Sequence, residues 1–409
     1  MRLSTLNVFS RGVGDLLSAT GDVAKTQNQI STGKRVLTPA DDPVSSARVL
    51  QLNQEKGLRA QYTSNIRAAE GRLNMEETQL DAVGKIISRL TTISVMAGNG
   101  SFSGNDRNIL AGEIEERMKE LVNIMNSKDA NGQYLFAGFK SKTQPFVDVG
   151  DNNFVYDGDE GQRKLKIASG SSIETGDNGR ELFVDVPSDH KTFYTYASSG
   201  NEASPLALIS VGNITDQTTY NDFYPEDIVV TFDPGATTYT VTQKSDGKVI
   251  DGMSAVTYAP GEDIVVQGVT FNITGTPEAG DTFVVKSSSR EPLLTTVEKL
   301  MTGLRTLTDK PEDRTKLEDL LDKSMANLSN SETRVMEVRS RVGHRLNTLD
   351  STKTLHEEIS VSSEKLLSEI QDLDYTQAIT KLNLQTVILQ AAQQSFTKIS
   401  GLSLFNFIR

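Results

Sequence analysis

The chain has 409 residues and no cysteine. That absence removes a disulfide framework, a zinc ribbon and a thiol nucleophile. It also suits a protein that lives outside the reducing cytosol without disulfide help. Histidine is nearly as scarce, with only His190, His344 and His356. The last two lie twelve apart on one long helical pattern, which is not the His-Glu-x-x-His spacing of a zinc protease, and all three are read as solvated or packing residues. No apolar run approaches the ~20 residues of a membrane span. The opening "MRLSTLNVFSRGVGDLL" has neither an unbroken apolar core nor a small-residue cleavage site, so no cleaved secretory signal is expected. Positive charge is thin. The net charge is −12, residues 1–40 hold five Lys/Arg against two acids, and residues 376–409 hold Lys381, Lys398 and Arg409 with no acid. The acidic remainder excludes a general nucleic-acid surface, which needs clustered basic groups.

Several stretches resemble reactive motifs and fail on inspection. "STGKRVLTPADDPVSSARVL" (Ser31–Leu50) contains Gly33-Lys34, but the opening glycine of a phosphate loop would fall at Asn28. Asp41 and Asp42 supply too few oxygens for Ca²⁺. Asp42 before Pro43 is better read as a helix start, an acidic N-cap followed by proline at the first helical position. The stretch then reads as helix, a turn at Gly33, an extended Leu37–Asp41 segment with Pro39, and a new helix from Pro43. "GSFSG" (Gly100–Gly104) centres on Phe102, so it is no nucleophile elbow. "DGDEG" (Asp157–Gly161) has its glycine one position early for a calcium loop and Ala168 where the bidentate acid belongs, and is read as a hairpin turn. No catalytic residue, cofactor site or metal site is expected, and the chain is not read as an enzyme.

What is present is periodicity. At the N-terminal end, Leu6, Phe9, Val13, Leu16, Val23 and Ile30 follow a heptad alternation, with Thr20 and Gln27 filling it. At the C-terminal end, Ala378, Leu382, Leu389, Ala392, Phe396 and Ile399 do the same, with Gln385 the only polar member. A second flank at Leu384, Val387, Ile388 and Ala391 implies one partner within the molecule and another outside it. Further in, Tyr62, Ile66, Ala69, Leu73, Leu80, Val83, Ile87 and Leu90 keep the spacing, with Glu76 the exception. A third helix is expected over roughly 107–126, and Leu321, Leu328, Val335, Val342, Leu349 and His356 recur every seven residues. A helix from Pro311 to about Leu373 would be ~90 Å long at 1.5 Å per residue, a length suited to rods and filaments. From about Gln133 to Arg290 short strand candidates and turn pairs such as Asp246-Gly247 take over.

The fold class expected is therefore α+β: a long helical coiled-coil rod formed by both chain ends, with β-hairpins and an inserted all-β outer domain. The domains are read as residues 1–40 with 376–409, an inner terminal coiled coil; 41–190 with 291–375, a helical domain with β-hairpins; and 191–290, the inserted β domain.

Three stretches carry a resemblance. "QNQISTGKRVLTPADDPVSSARVLQL" (Gln27–Leu52), "ANGQYLFAGFKSKTQPF" (Ala130–Phe146) and "ISGLSLFNFIR" (Ile399–Arg409) resemble the flagellin superfamily, and the second is similar to its hook–filament junction branch. The likeness covers residues 1–186 and 291–409, and the insert is its least specific part. It implies a structural, extracellular subunit of the bacterial flagellum, forming a ring that joins hook to filament and adapts their mechanics. The alternative is a filament flagellin. Implied partners are the first hook-associated protein on the hook side, flagellin on the filament side, the chain itself in a ring, and a cytoplasmic export chaperone at the C-terminal segment. No nucleic acid or membrane partner is implied. Export by the flagellar type III apparatus, without a cleaved signal, follows from the same likeness. Gly33, Pro39, Asp42 and Pro43 would then form the joint where the chain passes from inner coiled coil to the next helical layer.

Overall fold

The computed structural model describes residues 5–100, 102–150, 152–198, 200–202 and 207–405, with side chains described for residue 7 and from residue 9 to residue 398 within those ranges. In chain order the elements are α1 (Thr5–Thr32), α2 (Pro43–Ala97) and α3 (Gly104–Met125), then β1 (Phe146–Asp148), β2 (Phe154–Tyr156), β3 (Lys164–Ala168) and β4 (Ser171–Glu174). A π-helical turn at Arg180–Val184 leads into β5 (Pro187–Ala197), β6 (Leu208–Ile209), β7 (Asn213–Ile214) and α4 (Gln217–Phe223). Six strands follow: β8 (Ile228–Phe232), β9 (Thr238–Gln243), β10 (Val256–Thr257), β11 (Asp263–Val266), β12 (Val269–Thr274) and β13 (Thr282–Arg290). The chain closes with α5 (Leu293–Thr306), α6 (Pro311–Gln371) and α7 (Tyr375–Phe405). The protein is thus a mixed helical and sheet fold, with long helices towards both ends of the chain and strands in the middle of the sequence. It divides into two compact units. One is built from the chain ends, up to Ser64 and from Ser351, and the other from Asn65–Asp350.

In the central unit, α2 buries Ile66, Ala69, Leu73, Leu80, Val83, Ile87 and Leu90 on one stripe. The seven-residue row on α6 is buried as well, at Leu321, Leu328, Val335, Val342 and Leu349. These residues and Leu110, Ile114 and Leu121 of α3 share one core. Each fully buried Leu or Ile contributes about 1.5–3 kcal/mol relative to exposure. The expected start of α3 near Arg107 lies three residues earlier. Ser103, inside the "GSFSG" stretch, is its N-cap, and Ser103 and Asp106 form a reciprocal capping box.

Glu76, the exception in the α2 stripe, points into this core and is 1% exposed. Its Oε1 accepts the Asp177 backbone N–H at 2.9 Å. Asp177 in turn accepts from Arg345 at 2.7 Å and from the Gln162 amide at 2.8 Å. Burial, and then the neighbouring Asp177 carboxylate, push the Glu76 carboxyl up to about 8.

Two hairpins, β1–β2 and β3–β4, lie in this unit. "DGDEG" is not the tip of either one. It connects them, and Asp159 fixes it by accepting backbone N–H groups of Phe139 at 2.8 Å, Lys140 at 2.9 Å and Gly161 at 2.7 Å. Glycine and aspartate mark where the chain can bend, but pairing partners are decided by strand contacts that local sequence does not carry. The same carboxylate explains Gly138 in "YLFAG". Gly138 has φ +70°, and a Cβ there would sit 2.3 Å from Asp159 Oδ1.

The inserted strands make two antiparallel sheets, ordered β10-β9-β8-β13-β5 and β11-β12-β6, with β7 also pairing β12. Alternating residues Ile228, Val230 and Phe232 face inward, and pack with Phe193, Tyr220, Phe271 and Phe283 in a second core. The insert enters and leaves at one place, where Arg290 pairs with Pro187. A buried polar group sits just beyond. Glu291 accepts from Lys299 Nζ at 2.8 Å, Thr192 at 2.6 Å, Thr296 at 2.8 Å and Asn327 at 3.1 Å. Burial opposes ionisation of Glu291, but the Lys299 ammonium and these hydrogen bonds hold its carboxyl below the usual range.

Candidate assembly interface

In the terminal unit, α1 packs against α7. The two heptad seams meet. Ala378 is buried, and Val13, Leu16, Val23, Ile30, Leu382, Leu389, Ala392 and Phe396 are half-buried. The Phe9 and Phe396 rings lie 5.1 Å apart, and a Cβ on Gly12 would come within 3.0 Å of Phe396. Leu6 and Ile399 fall outside the described side chains.

The register differs from the expected one at its polar positions. Thr20 and Gln27 are exposed, while Ala19 is half-buried and Thr26 is buried. From Leu16 onward the spacing within the seam is therefore three then four residues, rather than four then three. The cause is a polar layer: Thr26 Oγ1 donates to Gln385 Oε1 at 2.7 Å. Thr26 was not singled out from sequence. The signal that could have found it is Gln385, the polar member of an apolar row, which implies a polar residue opposite.

The pairing covers one face only. Leu384, Val387 and Ile388 of α7 are 62%, 61% and 51% exposed, and Leu17 of α1 is 66% exposed. Ala391 is exposed too.

The joint at Ser31–Leu50 is a clasp. Gly33 adopts φ +69°, the left-handed geometry that closes many helices, and its carbonyl accepts Leu373 N–H at 2.9 Å. Lys34 and Asp372 form an antiparallel bridge, and Arg35 N–H donates to the Gln371 carbonyl at 2.7 Å. The Arg35 guanidinium donates to the Ile370 carbonyl at 2.8 Å. The turns after α1 and after α6 are thus tied together. Tyr375 completes the site, its hydroxyl 3.0 Å from where a Gly33 Cβ would be.

The segment Leu37–Asp41 is not extended throughout. Thr38–Asp41 closes a turn with Pro39 in it, Asp41 N–H donating to the Thr38 carbonyl at 3.0 Å. The two aspartates divide the work. Asp41 accepts the Leu37 and Thr38 N–H groups and pairs with Lys25 at 2.7 Å. The Lys25 ammonium, then the Thr38 N–H, hold its carboxyl at about 2. Asp42 caps α2 ahead of Pro43, accepting Ser45 N–H at 3.0 Å. His356, the last member of the α6 row, is buried against Tyr62, ring centroids 5.7 Å apart.

Comparison with known proteins adds the last observation. A family model described as the bacterial flagellin N-terminal helical region matches residues 11–141. Flagellar hook-associated protein 3 of Escherichia coli (strain K12) is 24% identical over 406 residues, 99% of each chain. A solved hook-associated protein-3 from Legionella pneumophila is 26% identical, with TM-score 0.53, 79% of this chain and 99% of that one being covered. A solved flagellar junction protein from the same organism is 25% identical, with TM-score 0.50 and coverage of 79% and 100%. Filament proteins of several bacteria are similar over only 28% to 36% of the chain. The terminal coiled coil, the joint and these likenesses point the same way: the chain carries a region matching the flagellin N-terminal helical model, and over its whole length it is similar to hook-associated protein 3 of the bacterial flagellum.

Proposed function

We propose that the chain is the structural subunit of the ring that joins the flagellar hook to the filament and adapts one lattice to the other. The single observation that carries the reading is the paired terminal helices with an apolar strip left open on α7. A subunit of this kind completes its burial only when neighbours arrive. The whole-length likeness to hook-associated protein 3, against a partial likeness to filament proteins, favours the junction over a bulk flagellin.

In this reading the seam residues Phe9 to Ile30 and Ala378 to Phe396 form the inner layer, and Gly33, Pro39, Asp42 and Pro43 set the exit from it. Residues 191–290 face outward. The first hook-associated protein sits on the hook side and flagellin on the filament side. Before export as an unfolded chain through the type III apparatus, a cytoplasmic chaperone shields the C-terminal amphipathic segment. Deleting residues 376–409 should abolish chaperone binding.

Seeded assembly tests the central claim. The purified chain is mixed with filament fragments and, separately, with hooks already carrying the first hook-associated protein, and growth is followed by sedimentation and electron microscopy. Addition of a limited ring to hooks, without self-elongation, is expected. Long filaments growing from the seeds would make the chain a flagellin.

A further inference from the structure

This acidic chain carries a basic concavity in its central unit. A cavity of about 620 Å³ opens between α2, the Asp129–Gln133 turn and the start of β3. Arg67 and Arg72 line it from α2, and Arg163 and Lys164 from the opposite wall. The one carboxylate in that lining is Asp129, and it is committed to Arg72 at 2.6 Å. Lys164 reaches Glu174 at 3.2 Å, and Arg163 donates to the Gln133 side chain, a neutral partner. Arg67 is exposed and makes no ion pair among the described residues. The cations are crowded. Burial, and also the nearby Arg163, make the Arg72 guanidinium less willing to hold its proton, with Asp129 opposing them.

An excess of one charge in a low-dielectric recess focuses the field and attracts the opposite charge. The lining also has an apolar side. Phe139 is 63% exposed at the rim, and Met75 and Leu165 are half-buried. A lone phosphate would fill a small part of this space, whereas a few residues of peptide fit it. The chain itself is −12, so a neighbouring copy offers carboxylates in surplus.

We propose that this concavity is a docking site for an acidic peptide segment of a neighbouring subunit, its carboxylates held by Arg67, Arg163 and Lys164 and an apolar side chain laid against Phe139. Arginine suits the task because its planar fork meets a carboxylate with two parallel hydrogen bonds. The junction reading enters only as the source of the neighbour.

The test uses the full chain in solution and a fluorescein-labelled synthetic peptide of sequence Asp-Glu-Phe-Glu-Asp, followed by fluorescence anisotropy. Saturable binding at about 50 mM salt, weakened at higher salt, is expected. The double reversal Arg67→Glu with Lys164→Glu should weaken it at least about tenfold. Both positions are exposed, and unchanged unfolding midpoints show that the variant folds. Lys85→Glu, a reversal outside the cavity at a side chain 77% exposed, should leave binding as it was. Absence of saturable binding overturns the proposal. So does a double variant that binds like the parent. Displacement by inorganic phosphate, beyond that by chloride of equal ionic strength, would make this a free-anion site instead. A chain that joins hooks but ignores the peptide defeats the docking site alone. One that binds peptide but does not join hooks defeats only the junction reading.

Discussion

Thr26 and Gln385 are 359 residues apart in the chain and hydrogen-bonded at 2.7 Å across the α1–α7 seam. The pair is the polar layer in an otherwise apolar contact, the kind of feature that fixes register between two helices at some cost in stability. Changing one partner leaves the other without its bond in a buried place. Gln385→Leu alone should destabilise the terminal unit by about 1–3 kcal/mol. Thr26→Val added to it should recover most of the loss, because no polar group then remains to satisfy. Urea unfolding of the four chains of the double-mutant cycle, followed by helix signal, measures the coupling. A purely additive result would show that the bond does not set the register.

The joint makes a second, separable prediction. Gly33→Ala places a Cβ at φ +69° and 3.0 Å from the Tyr375 hydroxyl. The backbone cost alone is about 1 kcal/mol, and the close approach adds to it. Adding Tyr375→Phe removes the hydroxyl and should recover the second part while leaving the first. If Gly33→Ala is as stable as the parent in urea, the left-handed turn is not what holds the clasp.

Much of this arrangement was legible in the sequence. The row from Leu321 to His356 is buried at each of its six positions, since a period of seven on a long helix has one physical solution. The Asp42–Pro43 start was legible because a cap is local chemistry. What was not legible depended on partners. Whether Ala19 or Thr20, Thr26 or Gln27 faces inward turns on a rotation of one residue, and Gln385 on the other helix decides it. Tyr375 against Gly33 joins two turns more than 300 residues apart. The hairpin partners around Asp159 and the anchor around Glu291 are tertiary in the same way, and strand propensity carries no information about them.

The open strip on α7 predicts a separation of folding from assembly. Leu384→Ser with Val387→Ser and Ile388→Ser changes side chains that are already at least half exposed, so the unfolding midpoint should move little, within about 0.5 kcal/mol for each site. Ring addition to hooks should fall sharply in the seeded assay. Normal assembly by the triple variant would mean that another surface makes the contacts.

Glu76 predicts an unusual dependence on pH. Its folded pKa, about 8, lies above the ordinary value of 4.5. The protonated form is thus favoured by folding. Its contribution is fully present below about pH 4.5 and declines as pH rises towards 8, by at most about 1.4 kcal/mol per pH unit. Above that it has no further slope. Arg345 and Arg72 face the same carboxyl and moderate the fall, while the Asp177 carboxylate deepens it. Glu76→Gln keeps a hydrogen-bond acceptor for the Asp177 N–H and cannot ionise, so the variant should gain relative to the parent as pH is raised from 5 to 9. Parallel urea curves for the two chains across that range would remove Glu76 from the account of stability.

Glu291 carries the opposite sign. Its carboxyl is held below 4.5 by Lys299 and its hydrogen bonds, so its contribution is present above that value and is lost as pH falls through the folded pKa. The pair is 3% and 9% exposed at the side chains, which leaves little water to replace a missing partner. Lys299→Met should therefore strand the carboxylate and cost about 3–5 kcal/mol. Thr192, just inside the start of the insert, and Asn327 on α6 bond to the same carboxyl. The loss should therefore loosen the base of the insert, and limited proteolysis should cut near residues 187–192 and 288–293 before it cuts elsewhere. Replacing both partners, Lys299→Met with Glu291→Gln, should restore resistance, since the stranded charge is gone. Equal protection of the single variant and the parent would show that the insert is held by its strand pairing with no need of the ion pair.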